Sequence, residues 1–139
     1  MPSAFVLAAL IVTAPHWRVI TLPESDVRIR LPVGVVVTHQ DINWETEAVE
    51  LRMPDSSLVE MIIGGGAYDL RGFRRFCLNG KRAWDSGPLR QRSRRQVIVG
   101  SPGANALSAT YSNLSKADAS LADRIISSIH FDAGEICHA

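Results

Sequence analysis

Apolar and polar residues alternate in several short runs separated by turn residues, a pattern typical of half-buried β-strands. The run DVRIRLP places Val27, Ile29 and Leu31 on one side of a strand and Arg28 and Arg30 on the other. AVELRM alternates in the same way, and the β-branched or apolar runs VVVTH, LVEMII and ALSATYSNL predict further strands. The pattern therefore indicates a protein rich in short strands joined by turns.

A two-residue hairpin is predicted at Asn79-Gly80, which separates the short runs FCL and KRAWD. Both central residues of such a turn need a positive φ, and Asn-Gly is the pair that adopts it most readily. The preceding segment AYDLRGFRRF is ambiguous. Leu70, Phe73 and Phe76 have the spacing of a short helix, whereas Gly72 disfavours one.

The end of the chain predicts an amphipathic helix. Ser115 and Asp118 have the spacing of a helix cap, with an acid in the first turn. An apolar stripe at helical spacing follows: Leu121, Ala122, Ile125, Ile126 and Ile129. We therefore expect an α+β fold, in which a long C-terminal helix packs on one face of an antiparallel β-sheet meander.

The length of 139 residues suits one domain, and 46% hydrophobic with 21% charged residues is typical of a globular protein. The uncharged run Ser3–Ala14 is too short to span a bilayer, which needs about 20 apolar residues. It has the length and the small-residue ending of a signal peptide, with a buried first strand or helix as the alternative. We expect residues 1–14 to be this segment and residues 15–139 to form a single domain.

Cys77 and Cys137 are the two cysteines of the chain. In an exported protein, two cysteines most often form one disulfide bond, and we expect this pair to be bonded. The alternative is one buried free thiol and one thiol in a frayed tail. A metal site is not expected, because the repeated close ligand pairs of a zinc module are missing.

The net charge is +1, but the charges are unevenly placed. The segment from residue 24 to residue 60 contains eight acids and three arginines, whereas the segment from residue 71 to residue 95 contains nine bases and one acid. Arginine favours bidentate pairing with carboxylates, so this second segment predicts a docking surface for an acidic protein partner. The predicted surface comprises Arg74, Arg75, Trp84, Arg90, Arg92, Arg94 and Arg95. The alternative is a solvated hairpin whose charges prevent edge pairing.

Other candidate chemistry is weak. His39 and Asp41 share one face of a predicted strand, as a metal site or an acid–base pair would require. The stretch GSPG around Ser101 lacks the spacing of a nucleophile elbow, and IIGGG lacks the lysine and patterned glycines of a phosphate loop. We therefore expect no enzyme activity, no cofactor and no metal.

Three segments resemble the PsbP-like fold, a group that includes DcrB-like and related small exported bacterial proteins. VRIRLPVG resembles its amphipathic first strand, LNGKRAWD its mid-chain hairpin, and ALSATYSNLSKADASLADRIISSIHF its closing strand and helix. The resemblance covers about residues 24 to 131. It implies an antiparallel sheet flanked by helices, export in many members and non-enzymatic binding roles, and it carries over no functional residue. The apolar run lacks the cysteine of a lipoprotein anchor.

Together these features predict a non-catalytic periplasmic or secreted domain that binds another protein. Its most specific form is an immunity or inhibitor protein that docks an acidic cleft through the arginine-rich hairpin. Two alternatives stay open: an enzyme or small-ligand protein with a loop site near His39 and Asp41, and a cytoplasmic nucleic-acid-binding module. A nucleic-acid partner is disfavoured by the pI of about 7.9. No membrane span is expected, and the oligomeric state is left open.

Overall fold

The computed structural model describes residues 16–22, 25–43, 46–55, 57–64, 68–87, 94–100, 106–132 and 136–138. The predicted signal segment, residues 1–14, lies outside them, so its role stays a prediction. Within the described residues, no helix is long and apolar enough to cross a membrane.

The described residues form ten strands and one helix. In chain order they are β1 (Trp17–Thr21), β2 (Val27–Pro32), β3 (Val36–Asn43), β4 (Thr46–Arg52), β5 (Leu58–Gly64), β6 (Arg74–Leu78), β7 (Lys81–Asp85), β8 (Arg94–Val99), β9 (Leu107–Ser112), α1 (Lys116–Ser127) and β10 (His130–Phe131). A seven-stranded sheet has the order β3-β4-β5-β9-β8-β7-β6, and a three-stranded sheet has the order β1-β2-β10. Every strand pair in both sheets is antiparallel.

The antiparallel meander is present, but the expected α+β class with a long C-terminal helix is wrong. The structure is mostly β, with 55% strand and 12% helix, and α1 has only 12 residues. Helical spacing continued to Ile129 in the sequence, yet the helix ends at its C-cap, Ser128, and the chain then enters β10. Ile129 is fully buried, but it lies in the link between the helix and β10. Its apolar side chain therefore reflects burial and does not indicate that the helix extends to this residue.

The core lies on one side of the seven-stranded sheet, and α1 together with the three-stranded sheet covers it. Alternation in β2 buries Val27, Ile29 and Leu31 as predicted and leaves Arg28 and Arg30 on the opposite side. From the large sheet the buried cluster receives Val49, Leu51, Val59, Met61, Ala83, Val97, Val99, Leu107, Ala109 and Tyr111. From the helix it receives Ala122, Ile125 and Ile126. Burial of these apolar side chains is the main driving force for the fold.

The helix begins as predicted. The Oγ of Ser115 accepts a hydrogen bond from the backbone N–H of Asp118 at 3.1 Å. This bond satisfies one of the backbone donors that a helix leaves unpaired at its first turn.

The predicted hairpin is also confirmed, since Asn79 and Gly80 have φ values of 49° and 83° between β6 and β7. The short helix considered for residues 67–76 does not form. Gly72 has a φ of 82°, and a hydrogen bond from Phe73 N–H to Leu70 O closes a turn just before β6.

Cys77 and Cys137 are disulfide-bonded in the structure, in agreement with the predicted pairing, with their Cα atoms 6.0 Å apart. The backbone N–H of Cys137 also donates to Gly80 O at 2.7 Å. The C-terminal segment is therefore held against the β6–β7 hairpin by one covalent bond and one hydrogen bond.

Candidate functional site

The predicted arginine surface is divided between the two faces of the large sheet. Side chains alternate along a strand, so consecutive arginines point in opposite directions. Arg75 and Trp84 are directly opposite each other on β6 and β7, on the face turned away from the core. Arg94 lies on that outer face of β8, whereas Arg95 is in register with the core residue Tyr111.

Three members of the predicted set remain, of which the structure describes one. Arg74 is opposite Asp85, on the same side of the sheet as Arg95. Arg90 and Arg92 lie outside the described residues. Arg75, Trp84 and Arg94 therefore share the outer face of the sheet, with Arg94 four residues along β8 from the position opposite Trp84, and we call these three residues the arginine face.

Arg95 is engaged inside the protein. Its guanidinium donates to both carboxylate oxygens of Asp85, from Nε at 3.2 Å and from Nη2 at 2.6 Å. Its Nη1 donates to Oδ1 of Asp123 at 2.5 Å, and the hydroxyl of Tyr111 donates to the same oxygen at 2.7 Å. One arginine thus connects β7, β8 and β9 with the helix.

The electrostatics of this network agree with its geometry. The hydrogen bond with Asp85 raises the pKa of Arg95 above its ordinary value. Burial opposes ionisation of Asp85, but hydrogen bonds from Arg95 and the Gly87 N–H outweigh it and lower the pKa of that carboxyl. Burial and the hydrogen bond to Asp123 raise the pKa of Tyr111 to about 12. Arg95 and Asp85 therefore stay charged and Tyr111 stays neutral at neutral pH, and Arg95 has a structural role.

The arginine face keeps the exposure that docking requires. Arg75 and Arg94 are exposed, and Trp84 is half-buried. Ile98, the cross-strand neighbour of Trp84, is fully buried although it lies on the same outer face. The accessible part of this face is therefore its charged rim.

Two glutamates, which we call the acidic patch, lie on the other half of the outer face, where Arg52 of β4 is also exposed. Glu50 and Glu60 are directly opposite each other on β4 and β5. Thr110 of β9 separates Glu60 from Gln96 of β8, beyond which the basic strands begin. The charge asymmetry along the sequence thus becomes a spatial asymmetry across one sheet face, which a partner of matching polarity could recognise.

The alternative site at His39 has one acidic contact. The Nε2 of His39 lies 3.5 Å from Oε2 of Glu47, and Asp41 is in register with Glu47 along the β3–β4 pair. Across the described residues, no group of three or more histidine, cysteine or acidic residues could hold a metal ion. The geometry there shows a histidine–carboxylate contact between two neighbouring strands.

A pair of carboxyls that sequence reasoning missed lies at the start of the helix. Asp55 accepts hydrogen bonds from the backbone N–H and the hydroxyl of Ser57, and that hydroxyl is 3.4 Å from Oδ2 of Asp118. A hydrogen bond between the two carboxyls lowers the pKa of Asp55 to about 2 and raises the pKa of Asp118. Ser57 thus lies between the two carboxyls and attaches the β4–β5 turn to the helix.

In comparisons with known proteins, no family model, no curated protein and no solved structure matches this chain.

Proposed function

We propose that this protein is a non-catalytic, exported binding domain that docks an acidic protein partner through the arginine face. The observation that carries the proposal is the exposure of Arg75 and Arg94 on the face opposite the core, which also carries the half-buried Trp84 opposite Arg75. Aromatic and arginine side chains are the residues that most often dominate binding energy at protein interfaces.

The proposed partner presents clustered carboxylates, for which guanidinium groups offer bidentate hydrogen bonds. The acidic patch at Glu50 and Glu60 would repel the same carboxylates and so orient the partner on the sheet. The specific form of the proposal is an immunity or inhibitor protein whose target is a secreted toxin with an acidic cleft. Its resemblance to PsbP-like proteins, many of which are exported, supports this form.

Affinity capture with a charge-reversal pair tests the docking surface. Wild type, Arg75→Glu/Arg94→Glu and Arg18→Glu/Lys116→Glu are immobilised and exposed to secreted and periplasmic protein fractions. The two variants carry the same net charge, but Arg18 and Lys116 are exposed away from the arginine face. We expect the first variant to lose partners that wild type and the second variant retain. Equal retention by both variants would contradict this docking surface.

Salt dependence gives an independent measure of the same contact. Raising the salt concentration from about 0.05 to 0.5 M screens exposed charges. It should weaken wild-type capture strongly and should have a smaller effect on Arg75→Glu/Arg94→Glu. Capture that is insensitive to salt would be inconsistent with an electrostatic interface.

Intact-mass spectrometry of the natively expressed protein tests export. The measurement is made with and without reductant and thiol alkylation. Loss of about the first 14 residues together with a two-hydrogen deficit at Cys77 and Cys137 would support export into an oxidising compartment. An uncut chain with two free thiols would overturn the export proposal.

A further inference from the structure

A second cationic surface lies on the side of the three-stranded sheet turned away from the core. An open groove of about 870 Å³ runs between this sheet and α1. Arg28 and Arg30 line it from β2, Arg124 from the helix and His130 from β10. Its volume falls within the range of small-ligand sites in proteins.

The cationic side chains of the groove converge through the register of the strands. Arg28 and Arg30 share one face of β2, and His130 is directly opposite Arg28. Arg28 has an ion pair with Asp132 at 2.5 Å. Arg30 and Arg124 form no ion pair with any carboxylate in the described part of the chain. The groove thus holds two guanidinium groups with no acidic partner among those residues, and Asp123, a carboxylate that also lines it, accepts hydrogen bonds from Arg95 and Tyr111.

One donor in the groove is buried without an acceptor. The Nε of Arg28 has no hydrogen-bond partner among the described residues and almost no contact with solvent. A buried donor left without an acceptor is rare in folded proteins and is energetically unfavourable. The exposed remainder of the Arg28 side chain, which is 43% accessible, is the part that an oxyanion in the groove could contact.

The wall of the groove beside the arginines is apolar. Val19 is 58% exposed and is directly opposite Arg30 across the β1–β2 pair. Trp17 lies on the same side of β1, and the guanidinium of Arg124 is 4.5 Å from its ring centroid. This stacking holds Arg124 over an aromatic surface, where it is available to an anion and to an adjoining apolar group.

The end of the helix does not oppose an anion here. A helix C-terminus carries partial negative charge on its unpaired carbonyl groups. In this structure the side-chain amide of Asn79 donates to the carbonyls of Ser127 at 3.0 Å and Ile129 at 2.7 Å. The hairpin thereby neutralises part of that negative charge at the edge of the groove.

We propose that this groove binds a phosphate monoester that carries an apolar arm. The phosphate dianion would contact Arg28, Arg30 and Arg124, since two guanidinium groups without acidic partners match its charge. The apolar arm would lie along Val19 and Trp17. Such a head and arm occur both in soluble alkyl or aryl phosphates and in the lipid phosphatidic acid. This site is separate from the arginine face and does not depend on the proposed protein partner.

Amide-resolved NMR titration with n-butyl phosphate tests the proposal on the full chain. We expect saturable shifts of the Trp17 indole signal, assigned by its loss in Trp17→Phe. Arg30→Gln and Arg124→Gln should each weaken binding by about tenfold or more, since each removes a charge-assisted hydrogen bond. Arg18→Gln is the matched control, because Arg18 neighbours Trp17 on β1 but points to the other side of the sheet. It should bind as wild type does.

Comparison ligands define the chemistry. Pentanoate, which has a carboxylate head, and inorganic phosphate, which has no arm, should both bind more weakly than n-butyl phosphate. Equal binding of pentanoate would overturn the phosphate assignment, and equal binding of inorganic phosphate would overturn the apolar arm. Absence of saturable shifts, or equal weakening by Arg18→Gln and Arg30→Gln, would overturn the site itself.

Vesicle sedimentation separates the two sources of the ligand. Vesicles of phosphatidylcholine with or without phosphatidic acid are compared for wild type and Arg30→Gln/Arg124→Gln. Capture that requires phosphatidic acid and both arginines would identify the lipid source. Binding of n-butyl phosphate with no vesicle capture would identify a soluble ester, and failure of both would overturn the proposal. None of these readouts involves the arginine face, so the two proposals fail independently.

Discussion

Replacement of Arg95 by methionine should destabilise the protein strongly, although Arg95 belongs to a run of arginines with the composition of a surface. The Arg95→Met substitution keeps an unbranched apolar stem in place of the aliphatic part of arginine and removes three charge-assisted hydrogen bonds, to Asp85 and Asp123. The side chains of Arg95 and Asp85 are only 17% and 16% exposed. The carboxylate left behind would therefore regain little hydration.

The magnitude follows from these exposures. Loss of one partner of a fully buried ion pair costs about 3–5 kcal/mol, because a buried charge stays uncompensated. Asp123 is 39% exposed and would recover part of its hydration, which reduces the cost. We expect Arg95→Met to lower the free energy of unfolding by about 3 kcal/mol. With a urea m-value of about 1.5–2 kcal/mol per M, the midpoint should fall by about 1.5–2 M.

Urea unfolding of a double-mutant cycle checks this value. Asp85→Asn removes the carboxylate that loses its partner, so Arg95→Met/Asp85→Asn should be about 1–2 kcal/mol more stable than the two separate losses predict. Arg94→Met is the matched control, since Arg94 is the exposed sequence neighbour, and it should change stability by less than about 0.5 kcal/mol. Equal midpoints for Arg95→Met and Arg94→Met would refute the structural role of Arg95.

Three further predictions concern the hairpin, the disulfide and the buried tyrosine. Asn79→Gly keeps the positive φ of 49° accessible but removes both side-chain hydrogen bonds to the end of the helix. The free energy of unfolding should therefore fall by about 1–2 kcal/mol in a thermal unfolding experiment. An unchanged melting temperature would show that these two bonds do not stabilise the fold. Cys77→Ser/Cys137→Ser should lose about 4 kcal/mol in the chain-entropy model, because the bond joins residues 60 positions apart; reductant should destabilise wild type and leave this variant unaffected. Tyr111 should ionise at about pH 12 in an ultraviolet titration, and Tyr111→Phe should abolish that step. Since its pKa is raised on folding, the stabilisation from neutral Tyr111 is complete below the unfolded value of about 10 and disappears as the pH rises through about 12.

Local patterns predicted the strands and turns well, because each of them reports a local physical requirement. Alternation in DVRIRLP reflects a strand with one buried face, and Asn79-Gly80 reflects a turn that needs two positive φ values. The partition into two sheets could not be predicted in this way. It depends on the pairing of β2 with β1 and β10. The strands β1 and β10 have no apolar–polar alternation strong enough to identify them in the sequence.

The functional role of each arginine depends on a single step of strand register. Arg94 and Arg95 are adjacent in the sequence and equal in charge, yet one is exposed on the outer face and the other is held by two acids beneath the helix. No composition window can separate them, because Asp123, one of the two acids, comes from an element 28 positions away.

The groove between the three-stranded sheet and α1 shows that a basic site can form without a dense run of basic residues in the sequence. Its basic residues come from an acid-rich N-terminal half and from the C-terminal helix and strand: Arg28, Arg30, Arg124 and His130. They become neighbours because β10 returns to pair with β2 immediately after the helix. The densest run of arginines in the sequence includes Arg95, whose guanidinium is bonded to Asp85 and Asp123 within the fold. Arg30 and Arg124, which form no ion pair with a described carboxylate, come from a strand and a helix that are far apart in the sequence. Charge that is available for binding is therefore a property of topology rather than of local composition.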